Sequence, residues 1–196
     1  MSFEITSVWK NITPELEADL VDFWIDNKAI ADKKQAAMRS KQVVCIARED
    51  GGKIVGVSTA HPRVIPRLRQ PMFYYRNFIA ADYRGKQLAA PFLEKSKVAL
   101  QEHTKSLPKP ICLGILIELE NKGLATHRNE AVWADAGGGW TFIGYSPKGL
   151  HLRVGYFDEA KIGAPMPVRR QAVRGGQGQQ RAQGAQAGRG RGRQRA

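Results

Sequence analysis

The succession of strand-like and helix-like stretches predicts an α/β (α+β) layer fold, a mixed central sheet flanked by helices, followed by a disordered basic C-terminal tail. Three observations carry this expectation. Short apolar runs with period-two alternation recur on both sides of longer stretches with helical spacing. A single strand–turn–helix unit sits mid-chain, where Asn77-Phe78-Ile79-Ala80 passes through Arg84-Gly85 into Leu88-Ala89. The positive charge is uneven and concentrates after residue 163.

The elements follow in order. Phe3 to Val8 alternates as a first strand. Thr13-Pro14-Glu15 opens a helix, with Thr as N-cap and Pro in the first helical position, and Leu16, Leu20, Phe23 and Trp24 line one side. A second helix covers Asp32 to Met38. Val43 to Arg48 and Lys53 to Ala60 are strands joined by a hairpin turn at Asp50-Gly51-Gly52. A proline-broken basic loop is expected from His61 to Pro71, with Arg63, Arg67 and Arg69. Met72 to Ala80 is a strand, Leu88 to His103 an amphipathic helix, and Ile111 to Leu119 an apolar strand. A weaker helix spans about Gly123 to Trp133, and two strands, Trp140 to Tyr145 and Leu150 to Phe157, close the domain.

Composition narrows the class. The chain has 196 residues, 42% hydrophobic and 25% charged, enough for one domain with a core. Cys45 and Cys112 stand in apolar runs without metal-type spacing and read as buried free thiols. No run approaches the about 20 apolar residues of a membrane span, and Met1-Ser2-Phe3-Glu4 has no features of a secretory signal. A cytoplasmic location, without a membrane partner, is therefore expected. Of the net charge of +13, residues 164–196 supply +8 through eight arginines and no acid. That segment has no Leu, Ile, Phe, Tyr or Trp, so it cannot offset its ordering entropy by burial. We expect a folded domain over 1–160 and a disordered tail over 161–196. Arg189, Arg191 and Arg193 in the tail, with Arg63, Arg67 and Arg69 in the basic loop, are candidates to neutralise nucleic-acid phosphates. A solubilising tail and a solvated loop are the alternatives.

The mid-chain unit carries the chemistry. A helix N-terminus offers unpaired N–H groups, Gly85 permits close backbone approach, and Arg84 and Lys86 add charge, a combination suited to pyrophosphate. Asp82-Tyr83-Arg84-Gly85-Lys86-Gln87-Leu88-Ala89 resembles motif A of the GNAT acyltransferase superfamily, Arg/Gln-x-x-Gly-x-Gly/Ala after a strand. Arg84, Leu88 and Ala89 match, and the central Gly of the pattern is replaced by Gln87. Asn121 followed by Ala125, and Phe142-Ile143-Gly144-Tyr145, are similar to later landmarks of the family, so the resemblance covers residues 3 to about 157.

The resemblance implies transfer of an acetyl group from acetyl-CoA, a co-substrate, to an amine. It implies that Asn77, Phe78 and Ile79 grip pantetheine where two strands splay. Arg84, Gly85, Lys86, Gln87, Leu88 and Ala89 would hold the pyrophosphate, and Asn121 would touch the cofactor arm. Such chemistry needs a base for the ammonium and an acid for the thiolate. Glu118 and Glu120 share a strand face and are base candidates, one of them poised by partial burial; two solvated carboxylates are the alternative. His61 is a further base candidate. The Tyr that the family commonly places on its last helix is missing here, which leaves His127 or Tyr145 as the acid. No metal site is proposed. The preferred acceptor is an amino group on nucleic acid, for example an aminoalkyl-modified base of hypermodified phage DNA. The alternatives are a protein or small amine with the tail as a tether, or a non-catalytic nucleic-acid-binding module of the same fold.

Overall fold

In the computed structural model, residues 3–134 and 138–168 are described. The expectations on Arg189, Arg191 and Arg193, and on the tail beyond 168, lie outside these residues. The elements are β1 (Phe3–Ser7), α1 (Pro14–Asp26), α2 (Lys33–Ser40), β2 (Val43–Glu49), β3 (Ile54–Ile65), β4 (Gln70–Ile79), a 3-10 turn (Ala81–Tyr83), α3 (Ala89–Ser106), β5 (Gly114–Glu118), α4 (Lys122–His127), β6 (Val132–Trp133), β7 (Trp140–Tyr145) and β8 (His151–Tyr156). They form one sheet in the order β1-β2-β3-β4-β5-β8-β7-β6. Among the described residues only β4 and β5 pair in parallel; the crossover between them carries α3.

Local sequence explains the helices. Thr13 caps α1 by accepting from the Leu16 amide at 3.2 Å, and Asp32 caps α2 by accepting from Gln35 at 3.0 Å. Leu20, Phe23 and Trp24 face the sheet and pack with Val43, Ile46 and Val57. On the opposite sheet face α3 lays Phe92, Leu93 and Leu100 against Val44, Val55, Phe73 and Ile115. Alternation along the strands assigns each face its own core. Cys45 and Cys112 are buried free thiols.

The expected loop from His61 to Pro71 is instead mostly strand. β3 and β4 pair from Gly56↔Ile79 to Ile65↔Gln70, leaving a tight turn at 66–69. Pro62 and Pro71 are tolerated because neither is required to donate to a neighbouring strand: β2 pairs β3 only as far as Thr59, and β5 pairs β4 only from Phe73, with Pro71 giving just its carbonyl to the Leu113 amide. The far end of this hairpin packs Ile65, Met72 and Leu68 on Leu113, Leu116 and Val154. It is fastened there by Arg67, whose guanidinium donates to the Ile143 carbonyl. A Cβ at Gly144, where φ is +119°, would overlap that guanidinium, so the contact requires glycine. The weak helix expected over 123–133 is only the six residues of α4, followed by the short β6. Arg153 holds the intervening chain away from helix by taking the carbonyls of Arg128, Glu130 and Ala131.

Residues 163–166 lie along the start of β4. The Met166 amide donates to the Arg69 carbonyl at 2.8 Å, Arg69 Nε donates back to Met166, and the Gln70 side chain donates to Gly163 at 2.9 Å. The segment leading to the tail is thus anchored at the hairpin tip.

Candidate active site

Two features of the backbone open a site beside β4. First, β5 pairs β4 only at Phe73↔Ile115, Tyr74↔Leu116 and Tyr75↔Ile117. From Arg76 to Ile79 the β5-facing edge of β4 carries no strand among the described residues, because β5 ends at Glu118 while β4 runs on to Ile79. Second, α3 begins without a side-chain cap, and Pro91 in its first turn has no N–H, which leaves the amides of Ala89 and Ala90 as orphan donors. The turn leading there is tightly wound. Gly85 has φ +78° and Gln87 φ +57°, both left-handed. Gln87, which stands where motif A has Gly, therefore adopts the conformation that a glycine there would take at less cost. Arg84 is folded back: its Nε donates to the Ile79 carbonyl at 3.1 Å and its guanidinium lies 5.7 Å from the Phe78 ring. Lys86 sits 4.5 Å over the Tyr83 ring.

Where the backbone ladder between β4 and β5 stops, side chains continue it on the α1/α2 face. The Tyr74 hydroxyl donates to Glu118 Oε2 at 2.5 Å, and Arg76 pairs with Glu120. Register places His61 opposite Tyr74, with ring centroids 5.5 Å apart. Arg63 lies 5.4 Å over the same Tyr74 ring. The electrostatics are distinctive. Burial and the neighbouring Glu118 carboxylate push the Tyr74 phenol up to about 12, so it stays a neutral donor. Burial pushes the Glu118 carboxyl up, but hydrogen bonds from Ser146 and Tyr74 and the nearby charges of Lys148 and Arg76 outweigh it and hold the group below its ordinary value. The poising by burial expected from the sequence is therefore reversed for Glu118. Burial and the cations Arg39, Arg63 and Arg76 depress His61 below its usual range, which keeps it neutral and able to accept a proton at neutral pH.

The sheet separates Tyr145 from Glu118, Glu120 and His61, and His127 lies off the sheet at the end of α4. Glu118 and Glu120 meet β4 on the α1/α2 face through Tyr74 and Arg76. Tyr145 belongs to the other face: its ring contacts Phe142 and His151, each at 5.3 Å, and His151 alternates with Leu152, which packs on the Glu118 side. His127 is exposed at the end of α4, its Nδ1 2.8 Å from the Gly123 carbonyl. Asn121 caps α4 by accepting from Leu124 at 3.0 Å. Asn77 is exposed, and Phe78 packs on Phe23 from α1. Of the three arginines of the basic segment, Arg67 and Arg69 are engaged with backbone carbonyls and Arg63 with Tyr74. The residue that sequence reasoning missed is Tyr74. Its only signal is a polar tip within an aromatic strand, and its role emerges only when register sets it beside His61 and Glu118.

No protein-family model matches the chain. No curated protein matches it either. Solved structures do. A ribosomal-protein-S5-alanine acetyltransferase from Vibrio fischeri superposes with a TM-score of 0.51 at 9% identity, covering 82% of this chain and 96% of its own. The AtaT toxin, solved with the C-terminus of the antitoxin AtaR, gives 0.50 at 12% identity, covering 79% and 93%. A GNAT-family acetyltransferase from Streptococcus pneumoniae gives 0.49 at 14%, covering 80% and 99%. At such identities the likeness is one of architecture. The eight-stranded mixed sheet flanked by α1, α2 and α3 is the fold that the chain shares with the Vibrio fischeri acetyltransferase and the AtaT toxin.

Proposed function

We propose that the protein is an acetyl-CoA-dependent N-acetyltransferase acting on a primary amine, with an amino group on nucleic acid as its preferred acceptor. The observation that carries the reading is the combination of three things beside β4: its edge left open beyond the end of β5, the uncapped start of α3, and the Tyr74–Glu118 hydrogen bond where β5 ends. The residues present suit acetyl-CoA. Orphan amides and the positive helix end at Ala89 and Ala90, with Lys86 beside them, favour a pyrophosphate. The open edge of β4 from Arg76 to Ile79 offers backbone groups to an extended arm. When bound, acetyl-CoA supplies a thioester: the amine nitrogen bonds to the acetyl carbon, the C–S bond breaks, a proton leaves the nitrogen and one reaches the sulfur. Neutral His61 and ionised Glu118 accept from the amine side, and neutral Tyr74 donates. Reprotonation of Tyr74 through Glu118 closes the circuit.

Support for the nucleic-acid acceptor is electrostatic. The chain carries +13, of which +8 follows residue 163, and the described start of that segment is held at Arg69 and Gln70. The test is incubation of the full chain with acetyl-CoA and DNA bearing an aminoalkyl base, then digestion and weighing of the nucleosides. One acetyl group on the modified nucleoside is expected. Acetylation of small amines or peptides with no gain on any nucleoside overturns the nucleic-acid acceptor. Absence of acetyl-CoA binding overturns the enzyme reading.

Gln87→Gly relaxes the left-handed position and removes a side chain from the turn. Acetyl-CoA is expected to bind this variant several-fold more tightly by calorimetry. Stability in urea should change by less than about 1 kcal/mol, because relief of strain offsets the added freedom of the unfolded chain.

A further inference from the structure

Three arginines converge where a proton-transfer site would be expected to avoid them. Arg63 projects from β3 over the Tyr74 ring. Arg76 follows Tyr74 by two residues and so shares its face of β4. Arg39 ends α2, half-buried, and the chain there is tied to the same strands: Gln42 donates to the Arg39 carbonyl and Ala60 to the Gln42 carbonyl, at 2.9 and 2.8 Å. Arg39 feels the charge of Arg76 and the Tyr74 hydroxyl, and its guanidinium is disfavoured first by burial and then by Arg76. Glu120 neutralises Arg76, and Glu118 is engaged by Tyr74. Among the described residues no carboxylate pairs with Arg39 or Arg63. Gathering three guanidinium groups around His61 and Tyr74 costs folding energy through mutual repulsion, which a bound anion would reverse.

Tyr74 meets both kinds of charge: the Arg63 guanidinium lies over its ring, and its hydroxyl donates to the Glu118 carboxylate, which Ser146 and Lys148 also stabilise. A planar guanidinium takes a carboxylate or phosphate through paired N–H donors, whereas a carboxylate attracts an ammonium. An acceptor carrying both charges would be oriented with its amine toward Glu118. We propose that Arg39 and Arg63, flanked by Arg76, form an anion-receiving subsite that selects amines bearing a carboxylate or phosphate close to the amino group. This rests on the acetyltransferase reading and names the substrate class of the same site; on a nucleic-acid acceptor the anion would be a backbone phosphate beside the amine.

The experiment compares three primary amines with the full chain and saturating acetyl-CoA: ethanolamine, O-phosphoethanolamine and β-alanine. The two anionic amines are expected to exceed ethanolamine in kcat/KM by at least about tenfold, as a charge-assisted hydrogen bond provides. Whichever of the two is preferred identifies phosphate or carboxylate. In Arg39→Gln and in Arg63→Gln the preference ratio should fall toward one, with Tm showing that each variant is folded. Equal kcat/KM for charged and uncharged amines, or an unchanged ratio in both variants, overturns the subsite. Calorimetry of O-phosphoethanolamine with the wild type and the two variants reads the subsite without turnover. Binding that weakens at least about tenfold in the variants upholds it even if no amine is acetylated, and no binding in the wild type overturns it. Failure to acetylate any amine counts separately, against the acetyltransferase reading.

Discussion

Replacing Tyr74 by Phe is expected to lower kcat for amine acetylation about a hundredfold, with acetyl-CoA affinity unchanged. In the proposed mechanism the phenol is the neutral donor; it is pushed up to about 12 by its burial and by the Glu118 carboxylate that accepts its hydrogen bond at 2.5 Å. Phe keeps the ring under Arg63 and beside His61, so packing is retained. The pH profile separates a chemical role from a structural one. Tyr74 donates to the charged form of Glu118 and thereby lowers its pKa; in the Phe variant that pKa rises, and the acid limb of kcat/KM should move to higher pH. Stability follows the same sign. Glu118 is held below its ordinary 4.5, so its contribution is present above that value and is lost as pH falls through the lowered pKa. Glu118→Gln should cost as much in kcat, and the double variant little more than either single one, because the two side chains act as a unit. Near-wild-type kcat with an unshifted profile in Tyr74→Phe would remove Tyr74 from the mechanism.

Arg153→Met is expected to produce the largest loss of stability of any single exchange outside the apolar core, about 3 kcal/mol or more. Arg153 is 1% exposed. Its guanidinium donates to four carbonyls, Glu130 at 2.6 Å and Arg128, Ala131 and Trp140 at 3.3 Å each, and stacks 4.0 Å from the centre of the Trp133 ring. Met fills part of the volume but leaves those carbonyls without their donor. For a domain of this size the melting temperature should drop by roughly 10 °C. Lys cannot match a planar fork that serves four acceptors, so Arg153→Lys should lose more than half as much. Hydrogen exchange should rise first in residues 128–133, which Arg153 ties to β7 and β8. A Met variant as stable as the wild type would show that water replaces the guanidinium at no cost.

Much of the fold was legible because its signals are local. The Thr13-Pro14 start and the turn at 50–52 occur where cap and turn chemistry place them, and the second helix begins within a residue of its expected start at Asp32. The turn into α3 was also legible, through Arg84-Gly85 and the following helix, and its left-handed Gln87 is the local deviation that the altered motif announced. The β3–β4 hairpin was misread because Pro62 and Pro71 normally argue against strand. Which strand edges are open decides whether a proline is tolerated, and that depends on where β2 and β5 end. Arg153 was passed over for a related reason: a charge in a strand reads as outward-facing until the chain at 128–131 is brought over it.

The sequence by itself determined most of the helices and strands outside 61–71 and 123–133, where α1 is capped, the placement of a phosphate-suited turn before a helix, and the concentration of positive charge after residue 163. These depend on period, capping and composition, which act over a few residues. Only the tertiary structure decided which side chains meet at the candidate site. The register of β3 on β4 set His61 across from Tyr74, the early end of the β4–β5 ladder left Glu118 to be bonded by side chains, and alternation put Tyr145 on the other face. The partners in these contacts lie up to 44 residues apart in the chain. Burial of two opposed cores selects that register, because a slip of one residue would exchange the faces of every strand side chain.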